Sequence, residues 1–256
     1  MIGHRRTMDS PAPVTAHPSP PQAQPPARGP SRRRWLLALG AAGICALQRR
    51  PLAQGQAQPL AWDEARLLRT MQQHYGAPGV KTLQAWLALL QAQAGQPLAQ
   101  QLRAVNDFWN TTVLASDDPT IWGQADYWAT PLQTLGRRAG DCEDFVIGKY
   151  FSLLRLGVPA AQLRLIYVRA RMGGLGSNVS VAHMVLGHYA SADGEPLVLD
   201  NLAGTIAPAS QRPDLTPVFS FNGAGIYIPG ARTTPTERIA RWPDLLARMR
   251  QEGFAP

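Results

Sequence analysis

Residues Gly140-Asp141-Cys142-Glu143-Asp144-Phe145 run directly into the apolar segment Val146-Ile147-Gly148-Lys149-Tyr150-Phe151-Ser152-Leu153-Leu154-Arg155-Leu156-Gly157. This pattern predicts a buried helix with Cys142 on its first turn, because Asp141 occupies an N-cap position and Gly157 provides a C-terminal stop. We expect the rest of the fold to be organised around this helix.

The surroundings of Cys142 contain opposing electrostatic effects. The free N–H groups and the positive dipole end of a helix N-terminus favour a thiolate. The neighbouring carboxylates of Asp141, Glu143 and Asp144 raise the pKa of the thiol unless a positive charge neutralises them. The sequence therefore predicts a reactive cysteine only if these acids have a cationic partner.

Composition indicates one domain with an N-terminal extension. The chain has 256 residues and a formal charge of +8, but eight of its 25 basic residues and one of its 17 acidic residues precede Gln58. The remaining chain is nearly neutral and has no Lys/Arg cluster, so it lacks the electrostatic attraction that nucleic-acid binding needs.

The extension has the features of an export leader. Residues 1–30 are rich in proline and predicted to be disordered, and residues 31–57 are predicted to be a signal. Ser31-Arg32-Arg33-Arg34 precedes an apolar run too short to span a bilayer, which resembles a twin-arginine signal, and Gly55-Gln56-Ala57 offers a cleavage site. An uncleaved N-terminal anchor is the alternative. We therefore assign the domain to residues 58–256.

Cleavage of the leader would also remove Cys45 and leave Cys142 as the single thiol. Cysteines in an oxidising compartment normally pair, so an unpaired one there indicates chemical use. The alternative interpretation is a small, buried, inert side chain.

The periodicity of the mature chain predicts an α+β fold. Helical patterns begin at Trp62, Val80 and Leu98, and a further helix covers residues 242–250; Asp117-Asp118-Pro119 is predicted to be a turn. After the cysteine helix, alternation with a period of two predicts strands over residues 163–168, 181–189 and 196–201, with further strands over 219–223 and 226–228.

The strands predicted over residues 181–189 and 196–201 are expected to form a hairpin. Folding it about residues 191–194 brings Asp200 within two or three positions of the point opposite His183, and alternation directs His188 to the other face. Cys142, His183 and Asp200 then supply a nucleophile, a general base and an orienting carboxylate. A core histidine is the alternative for His183.

Three segments resemble the bacterial transglutaminase-like cysteine proteinases of the LapG type. They are residues 140–145, Ala182-His183-Met184-Val185-Leu186 and Leu199-Asp200-Asn201, in the order of the family, within a resemblance that covers roughly residues 60–228. The resemblance implies a papain-like fold in which a helical N-terminal part packs on an antiparallel sheet. It also implies a cysteine endopeptidase with Cys142 as nucleophile, His183 as base and Asp200 as orienting residue.

The same resemblance implies a biological setting. Such enzymes are periplasmic, cut the N-terminal region of a large surface adhesin next to paired alanines, and so disperse biofilm. A cyclic di-GMP-responsive inner-membrane receptor restrains them as an inhibitor.

The resemblance further implies a calcium site beside the nucleophile, with ligands at Asp141, Glu143 and Asp144. A divalent cation would neutralise the carboxylates that otherwise raise the pKa of the thiol. The alternative is that Asp141 only caps the helix and the other acids only favour its first turn.

Two other functions remain open at this point. The same three residues catalyse acyl transfer when an amine replaces water, as in transglutaminases. A proteinase scaffold without activity could also serve as a calcium-dependent binding module, although such a module has no need to keep Cys142, His183 and Asp200 together.

Overall fold

The computed structural model describes residues 60–174, 176–228 and 239–256. The predicted disordered segment 1–30, the predicted signal 31–57 and Cys45 lie outside the described residues. Within the described ranges, no helix is both long enough and apolar enough to cross a membrane.

The predicted helices are confirmed, except that the first begins at Glu64 and not at Trp62, which forms a β-bridge with Phe254. The first two form one continuous element with a break at Gly76, whose φ of +63° lies in the left-handed region that glycine adopts without strain. The helices of the described chain are α1 Glu64–Gln93, α2 Leu98–Thr112, α3 Asp118–Trp122, α4 Pro131–Arg137, α5 Cys142–Arg155 and α6 Arg241–Glu252.

The turn predicted at residues 117–119 is wrong. Asp118 and Pro119 instead begin α3, with Asp117 at its N-cap position. Proline is tolerated in the first helical turn because no intrahelical partner exists there for its missing N–H, so the same residues suit a turn and a helix start.

The strands build a six-stranded antiparallel sheet in the described chain, in the order β6-β5-β4-β3-β7-β8. Two further strands, β1 Leu114–Ala115 and β2 Ala139–Gly140, pair in parallel just before α5. The strands of the large sheet are β3 Leu163–Arg171, β4 Ser180–His188, β5 Leu197–Leu199, β6 Ala207–Pro208, β7 Leu215–Asn222 and β8 Gly225–Tyr227.

The predicted hairpin of β4 and β5 is confirmed in its register. Leu186 pairs with Leu199, and continuing this register places residue 202 opposite His183, two positions from Asp200. Asp200 lies just after β5, however, and not inside a strand as predicted. Its side chain accepts the backbone N–H of Leu202 at 3.0 Å, and such a local bond competes with strand pairing.

Helix α5 is the centre of the molecule, as predicted. It packs against β3 and β4 on one side and α2 on the other, and most of its side chains are buried. Gly148 permits the close approach to α2, because a Cβ at this position would lie 2.5 Å from the Trp109 ring. The helical part thus packs on an antiparallel sheet, which confirms the α+β prediction.

Candidate active site and metal site

Cys142 is the first residue of α5 and is half-buried. Its Sγ donates a hydrogen bond to Oε2 of Glu143 at 2.9 Å. Burial raises the pKa of the thiol, and the charge and hydrogen bond of Glu143 and the charge of Asp141 raise it further, whereas the backbone N–H of Met184 lowers it. The expected conflict at this cysteine is therefore present in the structure.

His183 and Asp200 are in direct contact. Nε2 of His183 lies 2.8 Å from Oδ1 of Asp200, and both residues are buried. Burial by itself raises the pKa of Asp200, but hydrogen bonds from His183, Leu202 and Arg212 outweigh it and hold the pKa at about 2. Asp200 is thus a carboxylate at neutral pH that fixes the orientation of the imidazole.

The cysteine begins the helix that packs against the strand carrying the histidine, since α5 contacts β4. Among the described residues no hydrogen bond joins Sγ to the imidazole, and the thiol instead points at Glu143. His74 is exposed, while His188 is buried and its pKa is lowered by that burial. His183 is the described histidine that contacts a carboxylate.

Three carboxylates converge beside Cys142. Asp118, Asp141 and Glu143 each offer an oxygen, and these oxygens lie within 4.8 Å of one another. Oδ1 of Asp118 and Oδ1 of Asp141 are buried and have no hydrogen-bond partner among the described residues. Buried carboxylate oxygens normally have a partner, so this arrangement fits a hard cation such as calcium, which several such oxygens bind.

Asp141 does not act as a helix cap, although it occupies the N-cap position: its side chain makes no capping hydrogen bond. Burial, followed by the charges of Glu143, Asp144 and Asp118, raises its pKa to about 9. Helix capping therefore does not explain the position of the Asp141 carboxylate.

Asp144, the third predicted ligand, is not among the three carboxylates whose oxygens converge. It is fully buried on α5, and its Oδ1 accepts the backbone N–H of Ala129 at 2.8 Å. Burial raises its pKa well above the usual value, although the Ala129 N–H opposes this. Its role as a ligand stays a prediction.

The chain is similar to one family of known proteins. A family model described as bacterial transglutaminase-like cysteine proteinase BTLCP matches residues 86–213. The chain belongs to this family. It is therefore a cysteine proteinase.

Solved structures of LapG from Legionella pneumophila have the same fold as this chain. The EGTA-treated form is 36% identical, with a TM-score of 0.64, over 75% of this chain and 99% of that chain. A calcium-bound form is 37% identical, with a TM-score of 0.61, over 71% of this chain and 97% of that chain. The predicted transglutaminase-like fold is confirmed. A search of the curated proteins gives no match.

Sequence reasoning missed several residues of this proteinase site. Asp118 was assigned to a turn, although it belongs to the carboxylate cluster. Arg212 contacts Asp200 at 2.7 Å, and Asn110 donates to the carbonyl of Asp200 at 2.8 Å. Asp118 and Asn110 lie far from the three motifs along the chain, so no local spacing points to them.

Arg248 of α6 also supports the site. Its guanidinium donates to the carbonyl of Trp128 at 2.6 Å and to Oε1 of Gln133 at 2.9 Å. In the loop that Arg248 contacts, the backbone N–H of Tyr127 donates to the Asp118 carboxylate and that of Ala129 donates to the Asp144 carboxylate. The C-terminal helix therefore fixes the loop that borders the carboxylates.

Proposed function

We propose that Cys142, His183 and Asp200 form the catalytic triad of this proteinase. The observation that carries the proposal is the buried contact of 2.8 Å between His183 and Asp200, because His183 lies on β4, the strand against which the helix of Cys142 packs. An imidazole oriented by a carboxylate is the base that a cysteine nucleophile requires.

In the proposed mechanism, His183 accepts the thiol proton and Sγ of Cys142 attacks the carbonyl carbon of the scissile peptide bond. The C–N bond breaks as His183 returns the proton to the leaving amine, and a thioester remains on Cys142. Water then attacks the carbonyl carbon of the thioester and gives a proton to His183. The C–S bond breaks, the carboxylic acid product leaves, and His183 returns the proton to Sγ of Cys142. Asp200 stabilises the imidazolium form throughout.

We further propose that Asp118, Asp141 and Glu143 hold calcium, since two of them have buried oxygens without a partner in the described chain. Calcium held by these residues would neutralise the carboxylates beside the thiol. With Glu143 as a ligand of that ion, Sγ of Cys142 would lose its present hydrogen-bond acceptor and would be free to face His183. A LapG structure with calcium supports this assignment.

The family resemblance supports the proposed biological role. We propose that the enzyme acts in the periplasm on the N-terminal region of a large surface adhesin, releases it and so disperses biofilm. A cyclic di-GMP-responsive inner-membrane receptor is the proposed inhibitor.

The test is cleavage of an adhesin N-terminal fragment with added calcium, with EGTA and by Cys142→Ala. We expect a cut that needs calcium and that the variant has lost, although the variant retains the fold by circular dichroism. Undiminished cleavage by Cys142→Ala would refute the mechanism.

Adding a primary amine to the reaction distinguishes a peptidase from an acyl transferase. Predominant incorporation of the amine at the acyl group would identify an acyl transferase in place of a peptidase.

A further inference from the structure

Arg212 binds two carboxylates at once. It follows the short 3₁₀ helix Ala209–Gln211, and 9% of its surface is exposed. One terminal nitrogen lies 2.7 Å from Oδ2 of Asp200 and 2.7 Å from Oδ2 of Asp214, and its Nε donates to Oδ1 of Asp214 at 2.9 Å. The forked contact with Asp214 fixes the plane of the guanidinium, since two parallel bonds leave it little freedom.

The two oxygens of Asp200 have separate partners. Oδ1 contacts Nε2 of His183 at 2.8 Å and accepts the N–H of Leu202 at 3.0 Å. Oδ2 contacts Arg212. The arginine therefore prevents the carboxylate from rotating about its Cβ–Cγ bond, which keeps Oδ1 directed at the imidazole.

Arg212 also compensates for the burial of Asp200, of which 1% is exposed. A buried carboxylate without a cationic or hydrogen-bonding partner tends to take up a proton. A protonated carboxyl is a weak acceptor for the imidazole N–H, so it would orient His183 poorly. The contact thus preserves both the direction and the charge of the orienting group.

Lys149 is a second basic residue that interacts with Asp200, but it makes no hydrogen bond to the carboxylate. Lys149 of α5 is completely buried and its charge interacts with Asp200, but Nζ has no hydrogen-bond partner among the described residues. Directional control of the carboxylate therefore belongs to Arg212, which contacts it directly.

We propose that Arg212, held by Asp214, is a positioning residue that orients the Asp200–His183 pair for catalysis. This inference rests on the proposed triad. It adds to that triad a chain of contacts, from Asp214 through Arg212 and Asp200 to His183, in which each member fixes the next.

The test uses the full chain and a fluorogenic peptide with paired alanines. For Arg212→Gln we expect kcat to fall about 10- to 100-fold, the range seen in metal sites when a hydrogen-bond partner that orients a functional side chain is removed. KM should stay within about twofold, because the lost interaction acts on the transition state and not on substrate binding. Arg212→Lys keeps the charge and one donor, so it should recover part of kcat.

Asp214→Asn provides a second route to the same contact. Its side chain is one-third exposed, so the change is mild for the fold. We expect a smaller fall in kcat, with little further loss when it is added to Arg212→Gln, since both changes act through one guanidinium. Arg155→Gln is the matched control, because Arg155 pairs with the exposed Glu64 outside the site. The kcat of this variant should not change.

An unchanged kcat in folded Arg212→Gln would overturn the inference. If that variant does not fold, Asp214→Asn decides: a lower kcat at unchanged KM supports the inference, and an unchanged kcat overturns it. Failure of the proposed function gives a different result, because Cys142→Ala and Asp200→Asn would then retain activity.

Discussion

Asp141 is one of the carboxylates that set the electrostatics around Cys142. Its carboxylate neither caps α5 nor finds a hydrogen-bond partner for Oδ1 in the described chain, and burial next to three other acids raises its pKa to about 9. A cation among these carboxylates would favour their ionised forms and reduce the negative potential at Cys142. The ionisation of the thiol is therefore tied to occupancy of the carboxylate cluster.

Asp118 provides a test of this cluster that leaves the residues next to Cys142 unchanged. We expect Asp118→Asn to weaken calcium binding about 10-fold or more, because the site loses one negatively charged ligand. Isothermal titration calorimetry measures the effect. Asp117→Asn is the matched control, since Asp117 is exposed and makes no side-chain cap. Equal calcium affinities for the two variants would exclude Asp118 as a ligand.

At the scale of residues, the sequence predicts those members of the candidate site that lie within one helical turn of Cys142 or inside a recognisable motif. Asp141 and Glu143 flank Cys142, so their proximity to it follows from chain connectivity alone. Asp118 reaches the same place through α3 and the pairing of β1 with β2, and nothing local in Asp117-Asp118-Pro119 indicates that path. Long-range folding, and not local propensity, decides which acid completes the cluster.

At the scale of elements, one serine connects three helices. Oγ of Ser152 on α5 accepts the indole N–H of Trp86 on α1 at 2.9 Å and that of Trp109 on α2 at 3.0 Å, and it donates to the carbonyl of Gly148 at 2.6 Å. All these groups are buried. The position of α5, and hence of Cys142 at its start, depends on this shared hydrogen-bonding group.

Ser152→Ala should lower the free energy of unfolding by about 2–4 kcal/mol, because two buried indole N–H groups lose their acceptor. Urea unfolding followed by circular dichroism measures this loss. Ser191→Ala, in an exposed turn, should change stability by about 0.5 kcal/mol or less. If the two variants lose equal stability, the shared serine does not hold the helices together.

Long elements could be predicted from periodicity, and short ones could not. Helices α2 and α5 and strands β3 and β4 carry enough turns or alternations to reveal their buried faces. The two-residue strands β1, β2 and β6 exist only because distant segments pair with them. The end of β5 before Asp200 depends likewise on the Leu202 N–H and on tertiary contacts with Arg212.

For the whole molecule, a buried lysine affects stability. Burial lowers the pKa of Lys149 to about 7, although Asp200 and Asp107 oppose the shift. An unfolded lysine keeps its proton up to about pH 10.4. Between these values the unfolded chain binds more protons than the folded one, so stability rises with pH across this window.

Lys149→Met should therefore flatten the pH dependence of stability. We expect the unfolding free energy of the native chain, relative to the variant, to rise by about 2 kcal/mol from pH 7 to pH 9. Urea titrations of both proteins at pH 7, 8 and 9 measure the difference, in which contributions from other titrating groups cancel. A constant difference across this range would mean that Lys149 keeps its proton in the folded protein.

The most direct test of the account is the alkylation rate of Cys142 by iodoacetamide, because it needs no knowledge of the substrate. The reaction is followed at pH 7, with calcium or with EGTA, by mass spectrometry of the peptide that contains Cys142. Since the thiolate is the reactive form, we predict that alkylation is about 10-fold or more faster with calcium, and that His183→Gln loses most of this gain. Equal rates with calcium and with EGTA would contradict it.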